Sequence, residues 1–133
     1  MKYIELIDYA TRAMNSAYSP YSEFKVGATL LCADGSVYTG CNIENASFGA
    51  TCCAERVALF EAVKSGKREF ESICIVGGKD GEITDYCSPC GICRQVLSEF
   101  CKGDFKIILY NGTDVKEYTL EELLPMSFSG DEL

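Results

Sequence analysis

The amino-acid sequence predicts a three-layer α/β/α domain built on a five-stranded mixed sheet. Three observations point there. The hydrophobic period alternates between helical and strand spacing in the order helix, hairpin, helix, strand, helix, hairpin, helix. The connections at Ala33–Ser36 and Asn111–Gly112 are short turns, and a parallel crossover needs about a dozen residues, so both join antiparallel pairs. The strand between the two hairpins, Ile73 to Val76, is continuously apolar, as suits a strand covered on both faces.

Residues Ile4 to Ala17 place Leu6, Ala10, Ala13, Met14 and Ala17 at three-to-four spacing, an amphipathic helix that Pro20 prevents from continuing. Phe24, Val26, Ala28, Leu30 and Cys32 alternate as one face of a strand. Ala33-Asp34-Gly35-Ser36 turns the chain, and Val37 to Ile43 returns beside it. A second helix is expected from near Cys53 to about Lys64. Val57, Ala58, Leu59, Phe60, Ala62 and Val63 make it apolar over most of its surface, so it should be a central buried helix, with Gly66 at its exit. Cys87-Ser88-Pro89-Cys90 leads into a third helix that runs to about Phe100; proline is favourable at a helix start because its missing donor would be unpaired there. Phe105 to Tyr110 and Val115 to Tyr118 form the second hairpin. Thr119 and Glu122 form a capping box for a short last helix stopped by Pro125. No repeat or linker interrupts residues 1–133, which are expected to make one domain. The tail, residues 126–133, has no reason to fold alone.

Composition narrows the class of function. At 133 residues and 47% hydrophobic, the chain can build a core without disulfide staples. No apolar run approaches the roughly 20 residues of a membrane span, and Glu5 and Asp8 break up any signal-peptide core. The C-terminal Asp131-Glu132-Leu133 lacks the basic residue of an ER-retention tail. A cytoplasmic location is expected, with its thiols reduced. The net charge of −8 disfavours polyanions, so a small neutral substrate fits better than a nucleic acid. The chain has nine cysteines and no histidine. Without histidine, neither Ser-His-Asp nor Cys-His machinery can be assembled, and a carboxylate must handle proton transfer.

A split cysteine set carries the chemistry. Cys53-Ala54-Glu55 and Cys87-Ser88-Pro89-Cys90 each stand at or just before an expected helix start. Unpaired backbone donors and the positive dipole end stabilise thiolates there. Cys53, Cys87 and Cys90 are therefore expected to bind one zinc ion per chain and to leave its fourth position open, as catalytic zinc sites do. Glu55 lies close enough to act as the acid–base group, although an isolated glutamate there would read only as a favourable first-turn acid. Three thiolates around zinc sum to a net −1 and weaken its pull on water; Arg56, one residue on, is placed to hydrogen-bond the sulfurs and offset that charge. Two other readings stay open at this point. Cys87 and Cys90 alone can make a redox dithiol, and Cys52 or Cys93 can close a structural zinc site as a fourth ligand, though Cys93 is expected to pack inward.

With these residues, the sequence resembles the small homotetrameric zinc-dependent cytidine deaminases. The likeness rests on Cys53-Ala54-Glu55-Arg56 and on Ser88-Pro89-Cys90-Gly91-Ile92-Cys93-Arg94-Gln95. It extends through Tyr18-Ser19-Pro20-Tyr21-Ser22, Val26-Gly27-Ala28, Gly40-Cys41-Asn42-Ile43-Glu44-Asn45-Ala46 and Glu121-Glu122-Leu123-Leu124-Pro125. The resemblance implies hydrolysis of cytidine and deoxycytidine to uridine and deoxyuridine with release of ammonia, by a zinc-activated water whose proton Glu55 takes up and passes on. It also implies that Asn42 and Glu44 bind the ribose hydroxyls, that Phe24 packs on the pyrimidine, and that the backbone of Ala54 reads the ring. Phe48 and Phe128 would complete pockets, with Phe128 and the tail reaching a neighbouring subunit of the tetramer. Phe48 stands where relatives often carry tyrosine, so a hydroxyl contact is lost there. The alternatives are a deaminase of another aminated nucleoside, or a zinc module without catalysis. A nucleic-acid editing enzyme is disfavoured by the charge and by the Asn111-Gly112 hairpin.

Overall fold

The computed structural model describes residues 1–133. Its strands are β1 (Phe24–Cys32), β2 (Val37–Cys41), β3 (Phe70–Lys79), β4 (Lys106–Tyr110) and β5 (Val115–Thr119); its helices are α1 (Tyr3–Met14), α2 (Ala54–Lys64), α3 (Gly91–Phe100) and α4 (Leu120–Leu123). The five strands form one sheet in the order β2-β1-β3-β4-β5. β1 runs antiparallel to both β2 and β3, β3 is parallel to β4, and β4 is antiparallel to β5. The sheet is mixed, as expected, and both hairpins form where the short turns require them.

Alternation along the central strands sorts the side chains into two cores. Ala28, Leu30, Ile73, Ile75, Ile107 and Leu109 face one side, against Ala54, Ala58, Leu59 and Ala62 of α2 and Leu97 of α3. Leu31, Cys74, Val76 and Ile108 face the other, against Leu6, Ala10 and Met14 of α1. Three layers follow, with α1 alone on one face and α2 and α3 together on the other. No helix is long and apolar enough to cross a membrane.

The boundaries differ from expectation in ways that matter. α1 stops at Met14, where Asn15 caps it, rather than continuing to Ala17. β3 extends beyond the apolar run Ile73–Val76 to Phe70 and Lys79, because it pairs with β1 over its length and polar or glycine ends do not interrupt backbone pairing. β2 ends at Cys41 instead of Ile43. Beyond it the chain exchanges partners: Ile43 bridges to both Tyr18 and Cys52. That change lays Asn42, Ile43 and Glu44 beside the segment leading into α2.

Two glycines set how closely the outer layers approach the sheet. A Cβ on Gly27 would lie 1.9 Å from the Ala10 carbonyl oxygen in α1, and one on Gly40 would lie 2.4 Å from the Ala54 carbonyl oxygen in α2. Either collision is with backbone, so the helix itself must move. Overpacking of this kind costs about 1–3 kcal/mol or more. Gly27→Ala and Gly40→Ala should each lower the thermal midpoint by roughly 3–12 °C in calorimetry. Gly40→Ala alone should also weaken metal retention, because α2 follows directly from Cys53; a wild-type midpoint for Gly40→Ala would contradict the packing described.

Candidate metal centre and active site

Two helix N-termini meet at the site. Cys53 is the N-cap of α2 and Cys90 the N-cap of α3, both in extended backbone, and neither cap is satisfied by a side chain. Their sulfurs lie 3.8 Å apart. Cys93, in the first turn of α3, completes a group whose three Sγ atoms all lie within 4.8 Å of one another. Four-coordinate zinc with Zn–S bonds of about 2.3 Å spaces its sulfurs by roughly 3.8 Å, so the donor set suits such an ion.

This corrects the ligand set expected from the sequence. Cys53 and Cys90 come together as expected, but the third sulfur belongs to Cys93, and Cys87 stands outside the group. Cys87 lies in the extended segment before α3, packed against the core, and a Cβ on Gly77 would sit 3.0 Å from its sulfur. Burial pushes its thiol up to about 12. Cys93 is three residues after an N-cap cysteine, and a helical turn carries that position back to the same side. The pair that counts is therefore Cys90-Gly91-Ile92-Cys93. Pro89 stands one residue before the N-cap rather than at the expected helix start, so α3 begins at Gly91 and Cys90 is the counterpart of Cys53. Cys52 is not in the group either; its backbone pairs with Ile43 and burial raises its thiol.

The electrostatics favour a thiolate at Cys53. A hydrogen bond from Cys93, with others from Arg56 and Cys90, draws the Cys53 thiol down to about 5 despite partial burial. Cys93, which shares its proton with that thiolate and is buried, is pushed upward. Arg56 Nη2 donates to Cys53 Sγ at 3.2 Å and to the Thr51 carbonyl at 3.3 Å. Those sulfur contacts hold the guanidinium protonated. Its Nε is buried without a partner. Arg56 thus lies against the Cys53 sulfur.

Glu55 lies in the first turn of α2 and is only 4% exposed. Burial is the main cause that raises its carboxyl to about 7, so either protonation state is accessible near neutrality. Ala54 beside it is fully buried under Gly40.

The residues expected to bind a sugar and a ring occupy the adjoining surface. Asn42 is nearly buried, and its amide accepts from Val26 N at 2.8 Å and donates to the Phe24 carbonyl at 2.8 Å. Glu44 accepts from Tyr21 N at 2.9 Å, from Ser22 N at 3.1 Å and from the Ser22 hydroxyl. A cavity of about 400 Å³ is lined by Tyr21, Ser22, Glu44, Phe48 and Thr51. Thr51 links it to the cysteine cluster, since its carbonyl accepts from Arg56, which also donates to Cys53 Sγ. Phe24 begins β1 and is partly exposed. Phe48 is 72% exposed, with its ring edge-on to Tyr21 at 5.8 Å. Phe128 is 58% exposed and reaches none of these residues; its carbonyl accepts from Gln95 Nε2 at 2.9 Å.

Comparison with known proteins gives a consistent picture. The family described as "Cytidine and deoxycytidylate deaminase zinc-binding region" matches residues 1–109. A cytidine deaminase of Sporosarcina psychrophila is 46% identical over 130 residues, covering 97% of this chain and 93% of the relative. The crystal structure of a cytidine deaminase from Burkholderia pseudomallei superposes with a TM-score of 0.89 at 46% identity, covering 96% of this chain and all of that one. A blasticidin-S deaminase of Bacillus cereus is 32% identical over 130 residues, covering 95% of this chain and 91% of the relative.

Replacement of single thiols separates the two ligand sets. Cys93→Ser should lose most of its zinc, whereas Cys87→Ser should keep about one equivalent per chain, as read by atomic emission on dialysed protein. The opposite pattern would restore Cys87 to the site.

Proposed function

From the premise that this chain belongs to the cytidine and deoxycytidylate deaminase family, we propose that it hydrolyses cytidine and deoxycytidine to uridine and deoxyuridine, releasing ammonia. One observation carries the reading: three clustered thiols, too few to close a tetrahedral ion, stand beside a buried carboxyl group within the family's zinc-binding region.

Cys53, Cys90 and Cys93 hold the zinc. When bound, the metal supplies a Lewis acid that brings the pKa of water from about 15.7 toward 7. Glu55 performs the proton transfers. It takes a proton from the attacking water, passes one to the ring nitrogen, and delivers one to the departing amine as the carbon–nitrogen bond breaks. Water adds oxygen and two hydrogens, ammonia leaves with the nitrogen, and the ring becomes that of uracil. A carboxyl group poised near 7 suits both halves of this exchange. Arg56 offsets the charge of the thiolates, which is the role its contact with Cys53 supports.

Asn42 and Glu44 bind the ribose hydroxyls, Phe24 packs on the pyrimidine, and the backbone of Ala54 reads the ring. The enzyme acts as a homotetramer in the cytoplasm. Exposed Tyr18, Ile43, Phe48, Ile92 and Phe128 support an assembly that covers them, and nine free thiols suit a reducing compartment. Phe48 and Phe128 then complete pockets across subunit boundaries. A second reading, deamination of another aminated nucleoside, is favoured by the likeness to the blasticidin-S enzyme.

Purified holoenzyme should release ammonia from cytidine and deoxycytidine, and far less from cytosine, adenosine or blasticidin S. Failure with both cytidine substrates, at one bound zinc per chain, would overturn the proposal. Glu55→Gln should retain zinc while kcat falls by roughly 100- to 10,000-fold or more; near-normal turnover would remove Glu55 from the role. Truncation before Phe128 should raise KM, and an unchanged KM would contradict the part given to the tail.

A further inference from the structure

The loop before β1 contains a hydroxyl whose one proton and one lone pair are both committed. Ser22 Oγ accepts the Phe24 backbone N–H at 3.0 Å, and its own hydrogen goes to Glu44 Oε2. The other carboxylate oxygen, Oε1, accepts the backbone N–H groups of Tyr21 and Ser22. Glu44 is thereby held from three sides by a single turn of chain. No cation contacts it; the salt bridges of the chain are Arg12–Asp8 and Lys67–Asp34.

A carboxylate offers roughly four lone-pair directions, and three are filled here. The remaining one is on Oε2, and Glu44 and Ser22 both line the cavity beside Phe48 and Thr51. We propose that Ser22 is a positioning residue for sugar recognition, locking Glu44 so that it presents one acceptor, and therefore takes one ribose hydroxyl. This rests on the reading of Glu44 as the sugar-binding carboxylate. Through the Phe24 N–H, the same hydroxyl ties Glu44 to the residue that packs on the base. The Phe24 backbone is also held by its pairing with Lys79 of β3, so the ring contact does not depend on Ser22 alone. The hydroxyl is also the leading cause that holds the Glu44 carboxyl below its ordinary range, so the acceptor stays ionised. Replacing Ser22 leaves the two N–H donors in place but frees Oε2 to rotate or hydrate. The cost should fall on binding of a hydroxylated sugar and on nothing downstream of it.

The test compares cytidine with 2′,3′-dideoxycytidine in holoenzyme carrying Ser22→Ala, Ser22→Thr or Glu44→Gln. Calorimetry with uridine and 2′,3′-dideoxyuridine on the same proteins provides a readout that needs no turnover. Ser22→Ala should raise KM for cytidine about tenfold with kcat within about twofold, and leave KM for the dideoxy substrate unchanged. Ser22→Thr, which keeps the hydroxyl, should restore the wild-type value. The dissociation constants of the two products should follow the same pattern. An unchanged KM for cytidine in Ser22→Ala, or an equal rise for both substrates, would overturn the proposal, the second outcome showing a merely structural role. If Glu44→Gln weakens binding of uridine and its dideoxy analogue equally, or weakens neither, the reading of Glu44 falls, and the proposal with it. If Glu44→Gln weakens uridine selectively and Ser22→Ala does not, only the role of Ser22 falls.

Discussion

The Cys53 and Cys90 sulfurs stand 3.8 Å apart because the first turns of α2 and α3 converge on one point at the edge of the same core. Each helix brings an N-cap cysteine, unpaired backbone donors and the positive end of its dipole, which together favour thiolates over thiols. Cys93 joins because one turn of α3 returns it to the side of Cys90. The approach of the helices depends on the sheet below. Leu59 and Ala62 of α2 and Leu97 of α3 are buried on the same face as Ile73, Ile75 and Ile107, and Gly40 lets α2 settle against β2 without a side chain between. A shift of either helix by even an ångström would open the sulfur cluster.

In the proposed mechanism Arg56 offsets the negative charge of the cluster and Glu55 carries the protons. Both come from the turn that follows Cys53, at consecutive positions with opposite fates. Glu55 points into the buried interior, where desolvation favours its neutral form. Arg56 reaches back across the sulfur and the Thr51 carbonyl, and remains charged. A rotation of about 100° between consecutive helical positions thus separates the group proposed to stabilise charge from the group proposed to move protons. The surface proposed for the sugar is organised through the same neighbourhood, since the Ile43–Cys52 bridge holds Glu44 near the segment that leads into Cys53.

Much of the fold was legible because its signals are local. Period-two alternation in β1, short hairpin turns and the capping box at Thr119 each act within a few residues, and the structure has all three. The ends of β3 were not legible, since Phe70, Gly77 and Gly78 belong to the strand only through their pairing with β1. In the site, Cys53, Cys90, Glu55 and Arg56 announced themselves by their place at helix starts. Cys87 misled, because a C-x-x-C spacing has the same form whether it precedes a helix or enters one. Only the exact start of α3 decides which thiol is turned toward Cys53 and which is buried under Gly77. Ser22 gave no signal of its own; its contact with Glu44 joins segments brought together by the Tyr18–Ile43 bridge.

The central claim is that three thiolates, Cys53, Cys90 and Cys93, hold zinc with the fourth position left for chemistry. X-ray absorption at the zinc edge of the substrate-free holoenzyme tests it most directly. The account predicts three sulfur scatterers at about 2.3 Å and one oxygen or nitrogen at about 2.0–2.2 Å, a pattern that should survive in Cys87→Ser and in Cys52→Ser. Four sulfurs in the wild-type protein, falling to three in either variant, would mean a closed structural site and would contradict the account.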